Sequence, residues 1–214
     1  MNDSDSGALL GVCDLTVWRG DKLLLDAVSF NVNSGELVQI HGTNGTGKTT
    51  LLRAIVGMAE FDEGEVYWKG QLIHRAREDM YSDLLYLGHK SGISAALSPV
   101  ENLLALCPEL SRDCRSQIKA ALAELAIADR IDLPCAALSA GQQRRVSLAR
   151  LRLQQARLWV LDEPLTSLDA DGYHWVRQEI LRHVEHGGAV LFTTHQAIQF
   201  GDKPVKSVML GDLS

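Results

Sequence analysis

The run Gly42-Thr43-Asn44-Gly45-Thr46-Gly47-Lys48-Thr49 constrains the fold of this 214-residue chain more than any other stretch. It fits the pattern G-x-x-x-x-G-K-[ST] in full. The glycines let the backbone curl so that several N–H groups face one oxyanion, and a helix that follows adds its positive N-terminal end. The pattern places the Lys48 ammonium on the β- and γ-phosphates of a nucleotide and the Thr49 hydroxyl on Mg²⁺. Leu37-Val38-Gln39-Ile40 reads as a strand entering the loop, and Thr49 to Met58 as a helix leaving it. That strand–loop–helix context separates a phosphate cradle from a glycine-rich turn that happens to contain Lys-Thr. Asn44-Gly45-Thr46, formally a glycosylation sequon, is by the same context a chance match.

Composition narrows the class. An apolar share of 46% with 22% charged residues is that of a soluble globular domain, and the length suits one such domain. A net charge of −6 argues against a nucleic-acid partner, which wants a basic face. Cys13, Cys107, Cys114 and Cys135 show no C-x-x-C spacing and read as packing residues of a reducing compartment. Met1 to Gly7 is acidic and small, so no secretory signal is expected there. No apolar run approaches the ~18 residues of a membrane span, so action at a membrane requires another chain as anchor.

Residues 8–32 alternate short apolar runs with turn residues and predict a small antiparallel sheet. Residues 100–107 and 116–128 are Leu/Ala-rich with helical period. Leu158-Trp159-Val160-Leu161 and Ala189-Val190-Leu191-Phe192 are continuous apolar runs, the pattern of strands covered on both faces of a parallel sheet. The expectation is an α/β core interrupted by a helical insertion. The first apolar run ends in Asp162-Glu163. Beside a phosphate loop, the first carboxylate can orient Mg²⁺, and the second can act as general base on an attacking water.

Leu138-Ser139-Ala140-Gly141-Gln142 resembles the L-S-G-G-Q signature of ABC ATPases, with Ala140 at one glycine position. Gln143 to Arg150 continues as that family's signature helix does. Leu168-Asp169, following Asp162-Glu163-Pro164, is similar to its D-loop, and Thr194-His195 to its switch histidine. The matches run from Gly42 to His195 in the family's order. The resemblance implies a P-loop NTPase core of the ABC ATPase kind, with an N-terminal antiparallel β subdomain and a helical subdomain at approximately 90–140. It implies one nucleotide-binding domain over 1–214.

The same resemblance assigns residues. ATP would be bound by Gly42, Thr43, Asn44, Gly45, Thr46, Gly47, Lys48, Thr49 and Thr50, and Mg²⁺ by Thr49 and Asp162. Glu163, His195 and Lys48 would act in catalysis. Leu138, Ser139, Ala140, Gly141 and Gln142 would face nucleotide bound to a second copy, so that the protein dimerises through ATP; Asp169 would be the D-loop acid. Read locally, Ser139 is also a helix cap, which is compatible with that role. Asp169-Ala170-Asp171-Gly172 resembles the start of a calcium loop but lacks the remaining ligands.

Two positions depart from the family. His89, in Tyr86-Leu87-Gly88-His89-Lys90, stands where a glutamine is usual. A Mg²⁺-proximal or coupling role and an ordinary packed or surface histidine are both open. Where an aromatic often stacks on adenine, this chain has Trp18 and Arg19. Either can stack, and Trp18 as core filler is a third reading.

Leu84-Leu85-Tyr86-Leu87-Gly88-His89, the run from Leu138 to Arg145, and Thr193-Thr194-His195-Gln196 are similar to the ATP-binding subunits of the bacterial cytochrome c maturation system, described as haem exporters. That resemblance covers nearly the whole chain. It implies an integral membrane permease as partner, a peripheral position on the cytoplasmic face of the inner membrane, and a role in haem handling. A soluble ABC ATPase acting as an assembly factor, or the ATPase subunit for another cargo, are the alternatives.

Overall fold

The computed structural model describes residues 7–108, 110, 114–195 and 198–211; Gln196 lies outside them. The chain divides into two compact units: Met1–Tyr86, Ala156–Glu163 and His183–Ser214 form the first, Leu87–Gln155 and Pro164–Arg182 the second.

The first unit holds two sheets. β1 (Leu10–Arg19), β2 (Lys22–Val32), β4 (Glu63–Trp68) and β5 (Gln71–Leu72) form an antiparallel sheet in the order β2-β1-β4-β5. The tight turn at Gly20 joins β1 to β2, with Trp18 opposite Leu23 and Arg19 opposite Lys22. The second sheet has the order β6-β7-β8-β3-β9, from β6 (Leu84–Leu87), β7 (Leu158–Asp162), β8 (Ala189–Thr193), β3 (Leu37–His41) and β9 (Val205–Met209). β7 with β8, β8 with β3 and β3 with β9 pair in parallel. Every residue of β7 and β8 is buried, as the continuous apolar runs require of strands covered on both faces. The core of this unit joins both sheets to the buried stripe of α1 (Lys48–Ile55), made by Leu51, Leu52, Ala54 and Ile55. A short α2 (Arg77–Ser82) contributes Met80.

The second unit is helical. α3 (Pro99–Leu106), α4 (Arg115–Glu124), α5 (Ala140–Leu148) and α6 (Arg150–Leu153) share a core of Val100, Leu103, Ile118, Leu122, Val146 and their neighbours. Buried Cys107 and Cys135 belong to it. α3 starts at a capping box: the Ser98 hydroxyl accepts from Glu101 N–H while the Glu101 carboxylate accepts from Ser98 N–H, with Pro99 at the first helical position. Between α4 and α7 (Ala170–Glu185), Arg152 pairs with Glu124 and with Glu179, whose side chain is only 4% exposed.

No helix among the described residues is long and apolar enough to cross a membrane.

Candidate functional site

In an open parallel sheet the crevice for ligands lies outside the carboxyl ends of the strands. β3, β7 and β8 are parallel neighbours, and each ends in the segment that the sequence singled out. β3 delivers the chain into the phosphate loop, β7 into Asp162-Glu163, and β8 into Thr193-Thr194-His195.

Two of the loop's glycines, Gly42 and Gly47, are required by close approach. A Cβ on Gly42 would lie 2.4 Å from Thr46 Oγ1, which donates to the Thr43 carbonyl at 2.9 Å and closes the curl. Gly47 has φ 95°, a left-handed backbone open mainly to glycine, and a Cβ there would meet Leu25 at 2.9 Å. Lys48 opens α1 and is 9% exposed. Its ammonium donates to the carbonyls of Gly42 (2.8 Å) and Thr43 (2.9 Å). Two of its three ammonium protons are thus engaged by the loop's own carbonyls.

The next residue, Thr49, donates from Oγ1 to Asp162 Oδ2 at 2.8 Å, across 113 positions of sequence. Asp162 is 1% exposed. A hydroxyl and a carboxylate so placed are hard oxygen donors, the set that suits Mg²⁺ held by one or two protein groups together with phosphates. Tyr86 lies within the field of Asp162. Burial, and then the negative charge of Asp162, push its phenol above its ordinary pKa.

Glu163 follows with φ 52°, a left-handed conformation that costs a non-glycine residue about 1–2 kcal/mol. Its carboxylate Oε1 lies 3.1 Å from His195 Nε2. The histidine side chain is half exposed and that of Glu163 only 14%. A carboxylate held beside a histidine at the end of a central strand is a group able to accept a proton.

The structure thus brings Lys48, Thr49, Asp162, Glu163 and His195 together in the first unit. Trp18 and Arg19 belong to the same unit. Trp18 is 44% exposed, which excludes the core-filling reading. The Asp62 carboxylate accepts from Trp18 N–H at 2.7 Å and fixes the end of β1. One and two residues beyond Leu23, the partner of Trp18, Leu24 and Leu25 of β2 press on Gly47.

The signature residues form a second constellation, in the helical unit. Ser139 caps α5 through another capping box: its hydroxyl accepts from Gln142 N–H (3.3 Å), and Gln142 Oε1 accepts from Ser139 N–H (3.0 Å). Ser139 and Ala140 are exposed and Leu138 is buried. From α5, Arg144 donates to the Gly88 carbonyl (2.7 Å), next to exposed His89. Arg145 donates to the Leu125 carbonyl (2.9 Å) and pairs with Asp169. Asp169 also caps α7 by accepting from Gly172 N–H (3.0 Å). That backbone hydrogen bond, and behind it the charge of Arg145, hold the Asp169 carboxyl below its ordinary pKa.

Sequence reasoning missed Thr193, Asp62 and Arg145 as supports of these constellations. Thr193 carried one weak signal, a hydroxyl at the end of the otherwise apolar run Ala189–Phe192. Asp62 carried none, because only strand pairing brings it to Trp18.

A phosphate cradle, a carboxylate pair at the adjoining strand end and a capped signature helix define the nucleotide-binding subunit of an ABC ATPase. The profile of the ABC transporter family matches residues 25–166, and the chain belongs to that family. It is an ABC-type ATPase of ATP-coupled transport. The chain is similar to the cytochrome c biogenesis ATP-binding export protein CcmA of Vibrio cholerae, 47% identical over 95% of this chain and 99% of that protein. It is also similar to the protein of the same name from Vibrio vulnificus, 45% identical over 95% of this chain and all of that protein. Among solved structures, a putative ABC transporter ATP-binding protein from Pyrococcus furiosus superposes with a TM-score of 0.77. It is 27% identical, and the match covers 94% of this chain and 96% of the other.

Proposed function

We propose that this chain is the ATP-hydrolysing subunit of an exporter-type complex serving c-type cytochrome biogenesis. It would be held at the cytoplasmic face of an inner membrane by an integral permease and would work as an ATP-closed dimer. The observation that carries this reading is the match, 42–47% identical over 95% of the chain, to cytochrome c biogenesis ATP-binding export proteins of several bacteria.

In the mechanism, the loop's N–H groups and the Lys48 ammonium receive the triphosphate, with the adenine at Trp18 or Arg19. Thr49 and Asp162 are the groups that would hold Mg²⁺, which neutralises charge on the β- and γ-phosphates. Glu163 takes a proton from water as the water oxygen bonds to the γ-phosphorus and the bond to the bridging oxygen breaks. His195 holds the Glu163 carboxylate. Ser139 and the N–H groups that open α5 supply, from a second copy, an anion site for the γ-phosphate.

The test uses a bacterium lacking its own relative. This chain should restore c-type cytochromes on a haem-stained gel, and Glu163→Gln should not. Purified Glu163→Gln should hydrolyse ATP about 10²–10⁴-fold more slowly and accumulate as an ATP-bound dimer on a sizing column. Active ATPase without restoration would point to another cargo. Near-normal hydrolysis by Glu163→Gln would remove Glu163 from the role of base. Fractionation with and without the permease decides against a soluble assembly factor if the protein follows the permease to the membrane.

A further inference from the structure

We propose that Thr193 is a positioning residue of the hydrolytic site, setting the Asp162 carboxylate and the Glu163 backbone with one hydroxyl. The inference rests on the roles proposed above for Asp162 and Glu163. Thr193 ends β8 and is directly in register with Asp162 at the end of β7. It is fully buried. Its Oγ1 donates to Asp162 Oδ1 at 2.8 Å and accepts from Glu163 N–H at 3.0 Å.

A threonine hydroxyl has one proton. Glu163 N–H can only donate, so the direction of both bonds is settled: the proton goes to Asp162 and a lone pair receives Glu163. The two oxygens of Asp162 are thereby divided. Oδ1 is held by Thr193 from within the sheet, and Oδ2 is turned to Thr49 at the mouth of the phosphate loop. The second bond holds the amide of a residue whose backbone is left-handed, φ 52°. Fold alone does not ask for this hydroxyl. β8 is apolar and buried up to Phe192, and valine would fill the same shape with the same preference for a strand. Valine would, however, leave one oxygen of a buried carboxylate and one N–H without this partner. The cost of an unmade bond to a charged group corresponds to about tenfold or more in an equilibrium.

The experiment compares Thr193→Val, Thr193→Ser and Thr193→Ala with wild type in the full chain. It measures kcat and KM for ATP. It also measures Mn²⁺ affinity by calorimetry in the presence of a non-hydrolysable ATP analogue. Thr193→Val should lower kcat about tenfold or more and weaken Mn²⁺ by a similar factor, with KM nearly unchanged. Thr193→Ser, which keeps the hydroxyl, should recover both. A residue that only packed the sheet would leave Mn²⁺ affinity untouched and would not be rescued by serine. If Thr193→Val does not fold, Thr193→Ser against Thr193→Ala decides, since those two differ only in the hydroxyl. Equal kcat and equal Mn²⁺ affinity within either pair overturn the proposal. Thr193→Val at wild-type level beside an inactive Glu163→Gln sinks this inference alone. An active Glu163→Gln sinks the site assignment beneath it.

Discussion

His183 and Trp159 stack with ring centroids 3.9 Å apart and planes 5° from parallel. The histidine ring lies over Gly188, where a Cβ would come within 2.2 Å of it, so only glycine leaves room for the stack. Nε2 of His183 and Nε1 of Trp159 are buried and find no hydrogen-bond partner among the described residues. Burial pushes the His183 pKa down from 6.5 to about 4, with the charge of His186 adding to it. The folded protein therefore binds this proton less well than the unfolded chain. The stability that neutral His183 supports is complete above pH 6.5 and drains away as pH falls to about 4. At about 1.4 kcal/mol per unit, the loss across that window is about 3 kcal/mol. Urea midpoints measured from pH 7 to pH 4 should show this slope, and His183→Phe, which keeps the stack, should flatten it. A slope unchanged in His183→Phe would assign the acid loss to other groups. Residues of this kind were illegible in the sequence, because a histidine on a helix says nothing about a tryptophan on a strand until packing joins them. Lys48 and Thr49 were legible because they close a loop that has one workable shape, and Asp162 because it ends the continuous apolar run Leu158–Leu161.

At the scale of elements, the long apolar runs and the phosphate loop were readable for physical reasons. β3, β7 and β8 lie in the middle of a sheet and are buried on both faces, so their composition carries the signal alone. β9 sits at an edge with three of its five residues exposed and none buried, and β4 begins with three exposed residues, so neither shows an apolar run. α2, at six residues, is too short for its period to register. α5 is the element on which most depends. Its capping box satisfies local N–H groups, and the same helix end would meet the partner's γ-phosphate. Ser139→Arg removes the cap and places a cation in that space. It is expected to abolish ATP-driven dimerisation on a sizing column while ATP affinity of dilute monomer stays within about threefold of wild type, since a lost cap is worth only ~1 kcal/mol. A fall in monomer affinity as large as that of Lys48→Ala would mean that the signature acts within its own chain.

At the scale of the whole molecule, Lys48 and Ser139 belong to different units of one chain but, in the proposed dimer, serve different nucleotides. Mixing Lys48→Ala with Ser139→Arg tests this directly. In a mixed dimer both defects fall on one composite site, and the other has a wild-type loop and a wild-type signature. Each mutant alone should be nearly inactive, and the mixture should regain up to about a quarter of wild-type turnover, the upper limit being half the dimers with one working site each. A mixture no more active than its parts would show that both sites must fire together or that neither is shared.

Arg144 and Arg145 are adjacent on α5, and adjacent residues of a helix point about 100° apart. One grips the carbonyl beside His89; the other grips the end of α4 and the acid that starts α7. Three segments distant in sequence are thus pinned to one short rod from different sides. A tug on any of them becomes a torque about the axis of that rod, and a torque is not confined to the point where it is applied.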